Sequence, residues 1–262
     1  MKNIGFCVLF FIIWDFAISQ STLLLPVNNI NQLIQNGTVQ VIYESFDIGS
    51  INDVFDGNDE TLARSANINP QVITLSFPFS VSFSGSEVLQ TYGDGWWSLE
   101  AADSEKDLGG KSGSYIQLFS MSPLTDGMID SKPFSTVSKR IIRLTIRRTT
   151  GDDYVHLNEW KLLDANAEIE INSICVRPSQ LWMLPSTKLE VSLYGTDAQG
   201  LNYPIISGID WNLEDPNVAD LESAGDKTFI LSNTLIGNSN LLIQWEGLEQ
   251  VIPVRVVKDF KS

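Results

Sequence analysis

The chain has little of what most enzyme chemistry draws on. It carries one histidine, His156, and two cysteines in 262 residues. A Ser-His-Asp triad or a Cys-His dyad would have to use that one imidazole, and no Gly-x-Ser-x-Gly elbow accompanies it. A zinc site built from cysteine and histidine lacks ligands. Positive charge is also scarce: 17 lysines and arginines stand against 32 aspartates and glutamates, a net charge of -15. Such a chain repels phosphate and is a poor non-specific binder of nucleic acid. No Walker or dinucleotide glycine motif occurs. Gly109-Gly110-Lys111-Ser112 lacks the first glycine of a P-loop at the required offset and lies between strand-like stretches. Paired carboxylates can hydrolyse glycosides, but no acidic pair here is marked by its setting. Beyond the N-terminus, no stretch is apolar for long enough to span a bilayer.

The apolar stretch at the N-terminus, too short for a comfortable membrane span, reads as a secretory signal peptide over residues 1–19. Lys2 is its positive end, Ile4 to Trp14 its apolar run, and Ala17-Ile18-Ser19 a small-x-small cleavage site before Gln20. Cys7 lies inside the run after Phe6, which is not the setting of a lipid-attachment cysteine. Removal of the leader leaves Cys175 alone, so no intramolecular disulfide is expected. Its strand-like setting, Ser173-Ile174-Cys175-Val176, predicts a buried, inert thiol. The expected location is across the inner membrane: periplasmic, cell-surface or extracellular.

What remains is a β pattern. Residues 20–35 read as a short lead-in with one helical turn near Ile30–Ile34. From Gly37 the pattern alternates, through Val39–Tyr43, Val72–Phe83, Trp96–Ala102, Tyr115–Phe119, Arg140–Arg148 and Val155–Leu163. Turns such as Gly93-Asp94-Gly95 separate the strands. Short strands with turn signals and hardly any helix predict an all-β sandwich. Pro78 predicts an edge position or a break. In Arg140–Arg148, Ile142, Leu144 and Ile146 fall on one face and Arg143, Thr145 and Arg147 on the other. Two of these, Arg143 and Arg147, form a basic stripe. Of the adjacent Trp96 and Trp97, Trp97 is expected inside and Trp96 outside. A boundary near Leu163–Glu168 precedes a second β pattern over 171–258.

The stretch Asp53–Ser65, DVFDGNDETLARS, is dense in side-chain oxygen. Gly57 permits a positive φ, and a hard cation such as Ca²⁺ takes oxygen from carboxylates, carbonyls and hydroxyls. The loop is not an EF-hand. Asp56-Gly57 with Thr61, followed late by Val155-His156-Leu157-Asn158-Glu159 and preceded there by Ile141–Ile146 with its internal Arg143, resembles the discoidin, or coagulation factor 5/8 type C, family of galactose-binding-like domains. The resemblance covers residues 36–164. It implies a jelly-roll β-sandwich with a structural calcium held by Asp56, Asp59, Thr61 and Glu159. The family's usual Trp two places after the Thr is Ala63 here. Animal members usually carry a bridging disulfide, so its absence points to bacterial carbohydrate-binding relatives. In the second half, Asp197–Gly200, Trp211 and Asp215-Val218-Ala219 resemble the bacterial immunoglobulin-like group 2 domain, with Trp211 as the core aromatic between two sheets.

Sugars bind through aromatic faces and planar polar groups. The expected ligand-binding residues are Arg64, Tyr92, Trp96, Tyr154 and His156, on loops at one end of the first sandwich. The expectation is therefore a secreted, non-catalytic carbohydrate-binding protein, a polysaccharide-capture component of a bacterial glycan-utilisation system. Its partners would be polysaccharide and other cell-surface glycan-uptake proteins, with no nucleic acid and no membrane span in the mature chain. An adhesion or scaffold protein without glycan binding is the alternative. A polysaccharide lyase or hydrolase, which would need Tyr, Arg and His in one groove, is a second.

Overall fold

A computed structural model describes residues 21–27, 29–110, 113–150, 153–224 and 227–259. The expected signal peptide lies outside the described residues. The protein is nearly all β, in largely antiparallel sheets. The chain divides into two compact units. One comprises Leu23–Ile169; the other comprises Glu170 onward, with Thr22 and the described residue before it.

In the first unit ten strands form one hydrogen-bonded network. Its main path runs Phe46–Ile48, Ala63–Ser65, His156–Leu163, Gln71–Gln90, Ile129–Arg148, Gly95–Ala102 and Ile116–Leu124. Gln71–Gln90 and Ile129–Arg148 are each 20 residues long. Their ladder shifts register between Ser76 and Val81 and again between Phe83 and Gly85. Such irregularities bend a strand, so the two halves of Gln71–Gln90 serve different neighbours. Residues near its start pair with Gln40–Tyr43, and residues near its end pair with His156–Leu163. Pro78 falls in the unpaired interval, which is how a central strand tolerates a residue with no N–H. The sequence therefore marked a break correctly, but the break lies inside one long strand.

The alternation does what period 2 requires. Ile142, Leu144 and Ile146 are fully buried, as are their neighbours Ile73, Leu75 and Leu99. Trp97 is fully buried against the edge of Phe119, at 4.5 Å between ring centroids, and its indole N–H donates to Asp130 Oδ2. Trp96 points the other way and is half-buried. On that outer face Arg143 is paired with Glu100. The basic stripe expected from the sequence is thus neutralised at one of its two positions.

The lead-in is more structured than its composition suggested. Ser21–Pro26 is a strand paired with Asn166–Ile171, Val27 N–H donates to the Ala165 carbonyl, and Val27 and Ile30 are buried. The short helix Ile30–Gln35 follows, its N-terminus capped by Asn29.

The second unit has two sheets. One follows the order Ser173–Arg177, Lys188–Thr196, Lys227–Ser232, Ala219–Ala224, with Asn202–Ile205 also paired to Lys188–Thr196. The other follows Leu181–Met183, Leu248–Val256, Gly237–Trp245, Asp210–Leu213. Asp197 closes the hairpin before Asn202, accepting from the Gln199 and Leu201 amides. Two expectations change here. Trp211 lies opposite the buried Ile243 but is only half-buried, and the aromatic buried in this sheet is Trp245. Cys175 is half-buried, because the strand buries Ile174 and Val176 and turns Cys175 to its other face.

The assignment of faces in Ile129–Arg148 has a direct consequence. Leu144→Ala should cost about 2–5 kcal/mol through the cavity it leaves. Thr145→Ala, one residue on and half-exposed, should stay within about 0.5 kcal/mol. Urea denaturation of the two variants measures both, and comparable losses would contradict the faces assigned.

Candidate functional site

Two side-chain clusters share the strand His156–Leu163. The first is the oxygen-rich loop. A single 3-10 turn, Ile51–Val54, leads into Phe55, which is buried against Trp160 at 5.5 Å between ring centroids and fixes where the loop begins. Asp56 Oδ1 accepts from the Asn58 amide at 2.8 Å, and Gly57 takes φ +73°, so the chain reverses tightly. Thr61 Oγ1 lies 2.7 Å from the Asn58 carbonyl, 3.1 Å from Asp56 Oδ1 and 3.3 Å from the Asp53 carbonyl. A hydroxyl has one proton, so it can fully satisfy only one of these three oxygens. Glu159 enters from the strand, and its Oε2 accepts from the Gly57 amide at 3.0 Å.

Glu159 is only 4% exposed. Burial pushes its carboxyl up to about 7, with Asp56 and Asp59 adding to the rise while Lys161 and the Gly57 amide oppose it. Of the four residues expected to hold a cation, Asp56, Thr61 and Glu159 thus converge around the turn. Asp59 joins through its backbone carbonyl. Its carboxylate is half-exposed and faces Lys161 Nζ at 3.7 Å. Among the described residues no three Asp, Glu, His or Cys side chains gather as a metal-holding group. A cation here would therefore use the Asp53 carbonyl and Thr61 hydroxyl beside Asp56 and Glu159. That all-oxygen set, with surplus acceptors and a buried acid, fits a hard cation.

The second cluster surrounds Tyr92, which is 64% exposed and sits at φ +65° on the turn after Gln71–Gln90. The turn is fixed from beneath. Gln90 Nε2 donates to the Gly93 carbonyl, and the Asp94 amide donates to Thr150 Oγ1. Gly93 has φ +140°, and a Cβ there would meet Thr150 O at 2.7 Å and Arg148 Nη2 at 2.9 Å. The Tyr92 ring meets His156 edge to face, with centroids 4.9 Å apart. His156 is 5% exposed, and its Nδ1 lies 3.3 Å from Arg148 Nη1. Guanidinium only donates, so in this contact Nδ1 is the acceptor.

Across the ladder Arg64 is the register partner of His156. Its guanidinium binds Asp47 through two bonds of 2.8 and 2.7 Å and lies 4.6 Å from the Tyr154 ring centroid. The hydrogen bonds from Arg64 hold the Asp47 carboxyl below the usual carboxylate range. The structure thus brings together four of the five expected ligand-binding residues, Arg64, Tyr92, Tyr154 and His156. Trp96 stands apart from these contacts, on the outer sheet face opposite Arg147 and Pro123.

Three residues that organise the site went unremarked in the sequence. Arg148 is 4% exposed and donates to the Tyr154 carbonyl. Its signal was present: the buried series Ile142, Leu144, Ile146 continues to 148. Asn158 donates to the Asp59 and Thr61 carbonyls at 3.2 and 2.8 Å and accepts from Thr91 Oγ1 at 2.8 Å, joining the loop to the residue before Tyr92. Asp47, in the three-residue strand Phe46–Ile48, had no local pattern to mark it.

No family model matches the chain, and no curated protein matches it. Several solved structures are similar. One is a family 32 carbohydrate-binding module of Clostridium perfringens, at 16% identity over 48% of this chain and 92% of that one, with a TM-score of 0.38. Another is chitosan-binding module 1 from a chitosanase/glucanase of Paenibacillus sp. IK-5, at 17% identity over 48% and 94%, with a TM-score of 0.38. A third is a pectin-binding carbohydrate-binding module, at 15% identity over 47% and 88%, with a TM-score of 0.39.

The raised carboxyl of Glu159 sets a pH dependence. Between the ordinary value of 4.5 and about 7 the folded state holds a proton that the unfolded state has released. Stability contributed by that proton is therefore lost as pH rises through this window. In chelator, the difference in melting temperature between Glu159→Gln and the parent should grow in favour of the variant from pH 4.5 to 7. A constant difference would show that Glu159 titrates normally.

Proposed function

We propose that the protein is a non-catalytic carbohydrate-binding protein whose first unit is discoidin-like and takes a saccharide at the Tyr92 end. The observation that carries this reading is the exposed Tyr92 ring, set on a braced turn beside the Arg64–Asp47 pair. An aromatic face left 64% exposed on such a support is suited to the C–H face of a sugar ring. The Arg64 and Asp47 side chains supply a donor and an acceptor for hydroxyls alongside it. His156 supports the ring from below instead of acting as a base. With Arg148 against Nδ1, it has no free acceptor nitrogen to offer a substrate.

The loop at Asp56, Thr61 and Glu159 would hold calcium as a structural ion. Once bound it would neutralise the Glu159 carboxylate and pin the loop to the strand that carries His156. The chain's own residues position the aromatic turn, and no reaction step is assigned to the ion. The second unit, read as immunoglobulin-like, would serve as a spacer or docking module. Export and a role in polysaccharide capture at the cell surface complete the proposal, resting on the leader-like N-terminus.

Affinity electrophoresis against neutral, uronic and sulfated polysaccharides tests the reading. Retardation by at least one class is expected, with Tyr92→Ala weakening it by roughly tenfold or more, the scale of about 1.4 kcal/mol. Chelator should lower the melting temperature of the parent but not that of Glu159→Ala. Absence of retardation by every polymer would move the assignment to an adhesion or scaffold protein.

A further inference from the structure

The second unit exposes an indole that its own packing does not require. Trp182 lies in the three-residue edge strand Leu181–Met183, whose other two residues are buried, and it is itself 51% exposed. Its register partner on Leu248–Val256 is Arg255, and the partner of Arg255 on Gly237–Trp245 is Asn238. Directly opposed residues point to the same side of a sheet. Burial confirms the side, because Val254 and Val256 are buried while Arg255 and Asn238 are exposed. Trp182, Arg255 and Asn238 therefore form a row across three strands, roughly 10 Å from end to end at the usual strand spacing.

The row is polar and positive at its centre in a chain of net charge -15. Arg64 and Lys188, which also lie over aromatic rings, both have carboxylate partners. Arg255 makes no ion pair among the described residues. It also lies 5.8 Å from the Trp182 centroid, against 4.0 to 4.6 Å for the other three cation–ring contacts. The guanidinium thus stands at the far limit of a cation–π contact with the indole. Both groups remain available. In the next row Asn240 donates to the Glu214 carboxylate.

We propose that Trp182, Arg255 and Asn238 form a second saccharide-binding surface, selective for a sugar unit that bears a carboxylate. The indole takes the C–H face of the pyranose. The guanidinium takes the carboxylate through its paired N–H groups, and the Asn238 amide takes a neighbouring hydroxyl. The surface lies in a different unit from Tyr92 and does not depend on that site or on the loop cation.

The test uses the full chain carrying Tyr92→Ala, so that the first site is silenced. Polygalacturonate and its carboxyl-reduced polymer serve as probes in affinity electrophoresis. The expected result is residual retardation by polygalacturonate that falls at least tenfold with Trp182→Ala or Arg255→Gln, and that the reduced polymer lacks. Both substitutions are at exposed positions, and an unchanged melting temperature checks the fold. Residual retardation that both variants leave intact overturns the proposal, as does equal binding of the reduced polymer. Complete loss of polygalacturonate binding with Tyr92→Ala alone also overturns it while leaving the first site standing. Sedimentation velocity covers the remaining occupant: self-association abolished by Trp182→Ala, without saccharide binding, would make this face a contact between copies and overturn the proposal.

Discussion

A buried guanidinium holds the Tyr92 end of the first unit together. Arg148 is 4% exposed, yet it ends a strand whose buried positions are otherwise aliphatic. A charge so placed is costly unless its donors are used. Here they bond the Tyr154 carbonyl and approach His156 Nδ1, while the residue's own backbone N–H and carbonyl engage the Asn69 side chain. The segment of Tyr154 and His156 thereby meets the side chain, and the segment of Asn69 meets the backbone of the same residue. The glycine at 93 follows from the same constraint, since any Cβ there would collide with the guanidinium or with Thr150. So does the position of Tyr92, whose ring rests on the imidazole that Arg148 orients.

Asn158 plays the matching part for the oxygen-rich loop. A buried amide has one acceptor and two donor protons, and this one bonds two loop carbonyls and the Thr91 hydroxyl. Because Thr91 also donates its amide to the His156 carbonyl, loop and aromatic turn are fastened to one strand at positions two residues apart. This arrangement gives Glu159 its environment. It follows Asn158 into a region where water is excluded and other carboxylates are near, which raises its proton affinity. A cation would reverse that balance by supplying charge where the chain has only oxygen.

The strands of both units were legible because their period-2 alternation spans five or more residues, as in Ile142–Ile146 and Leu241–Trp245. Legibility failed where tertiary context decided the outcome. Ser21–Pro26 has no alternation of its own and becomes a strand by pairing with Asn166–Ile171. Trp211 and Trp245 both lie on inward-facing positions, but Trp211 is on the edge strand of its sheet and stays half-exposed. His156 was expected at the ligand-binding end, on a loop; it is instead buried in a strand, against Arg148 and against Tyr92 from far earlier in the chain. Ala63, where the discoidin pattern would place a Trp, is fully buried here. The aromatic that packs behind the loop is instead Trp160, against Phe55. In the candidate site, Asp56, Thr61 and Glu159 were readable from a motif, whereas Asp47 and Asn158 acquire their roles only through register. Trp182 could not be singled out, because Leu181-Trp182-Met183 reads as a uniform apolar run until the strand places only its middle residue outside.

The acidity of the chain bears on how saccharide recognition would be divided between the two units. A net charge of -15 opposes the approach of any polyanion, but at physiological ionic strength the repulsion is screened beyond about 8 Å. Discrimination then falls to the charges within one Debye length of the contact. At the Tyr92 end the cation across the ladder from His156, Arg64, is already neutralised by Asp47 at 2.7 Å, which suits a neutral sugar face. At Trp182 the nearest cation has no such partner. Two aromatic surfaces of similar construction thus differ in one feature, whether the adjacent arginine is paired. On electrostatic grounds that difference would be enough to direct the two proposed surfaces to different sugars.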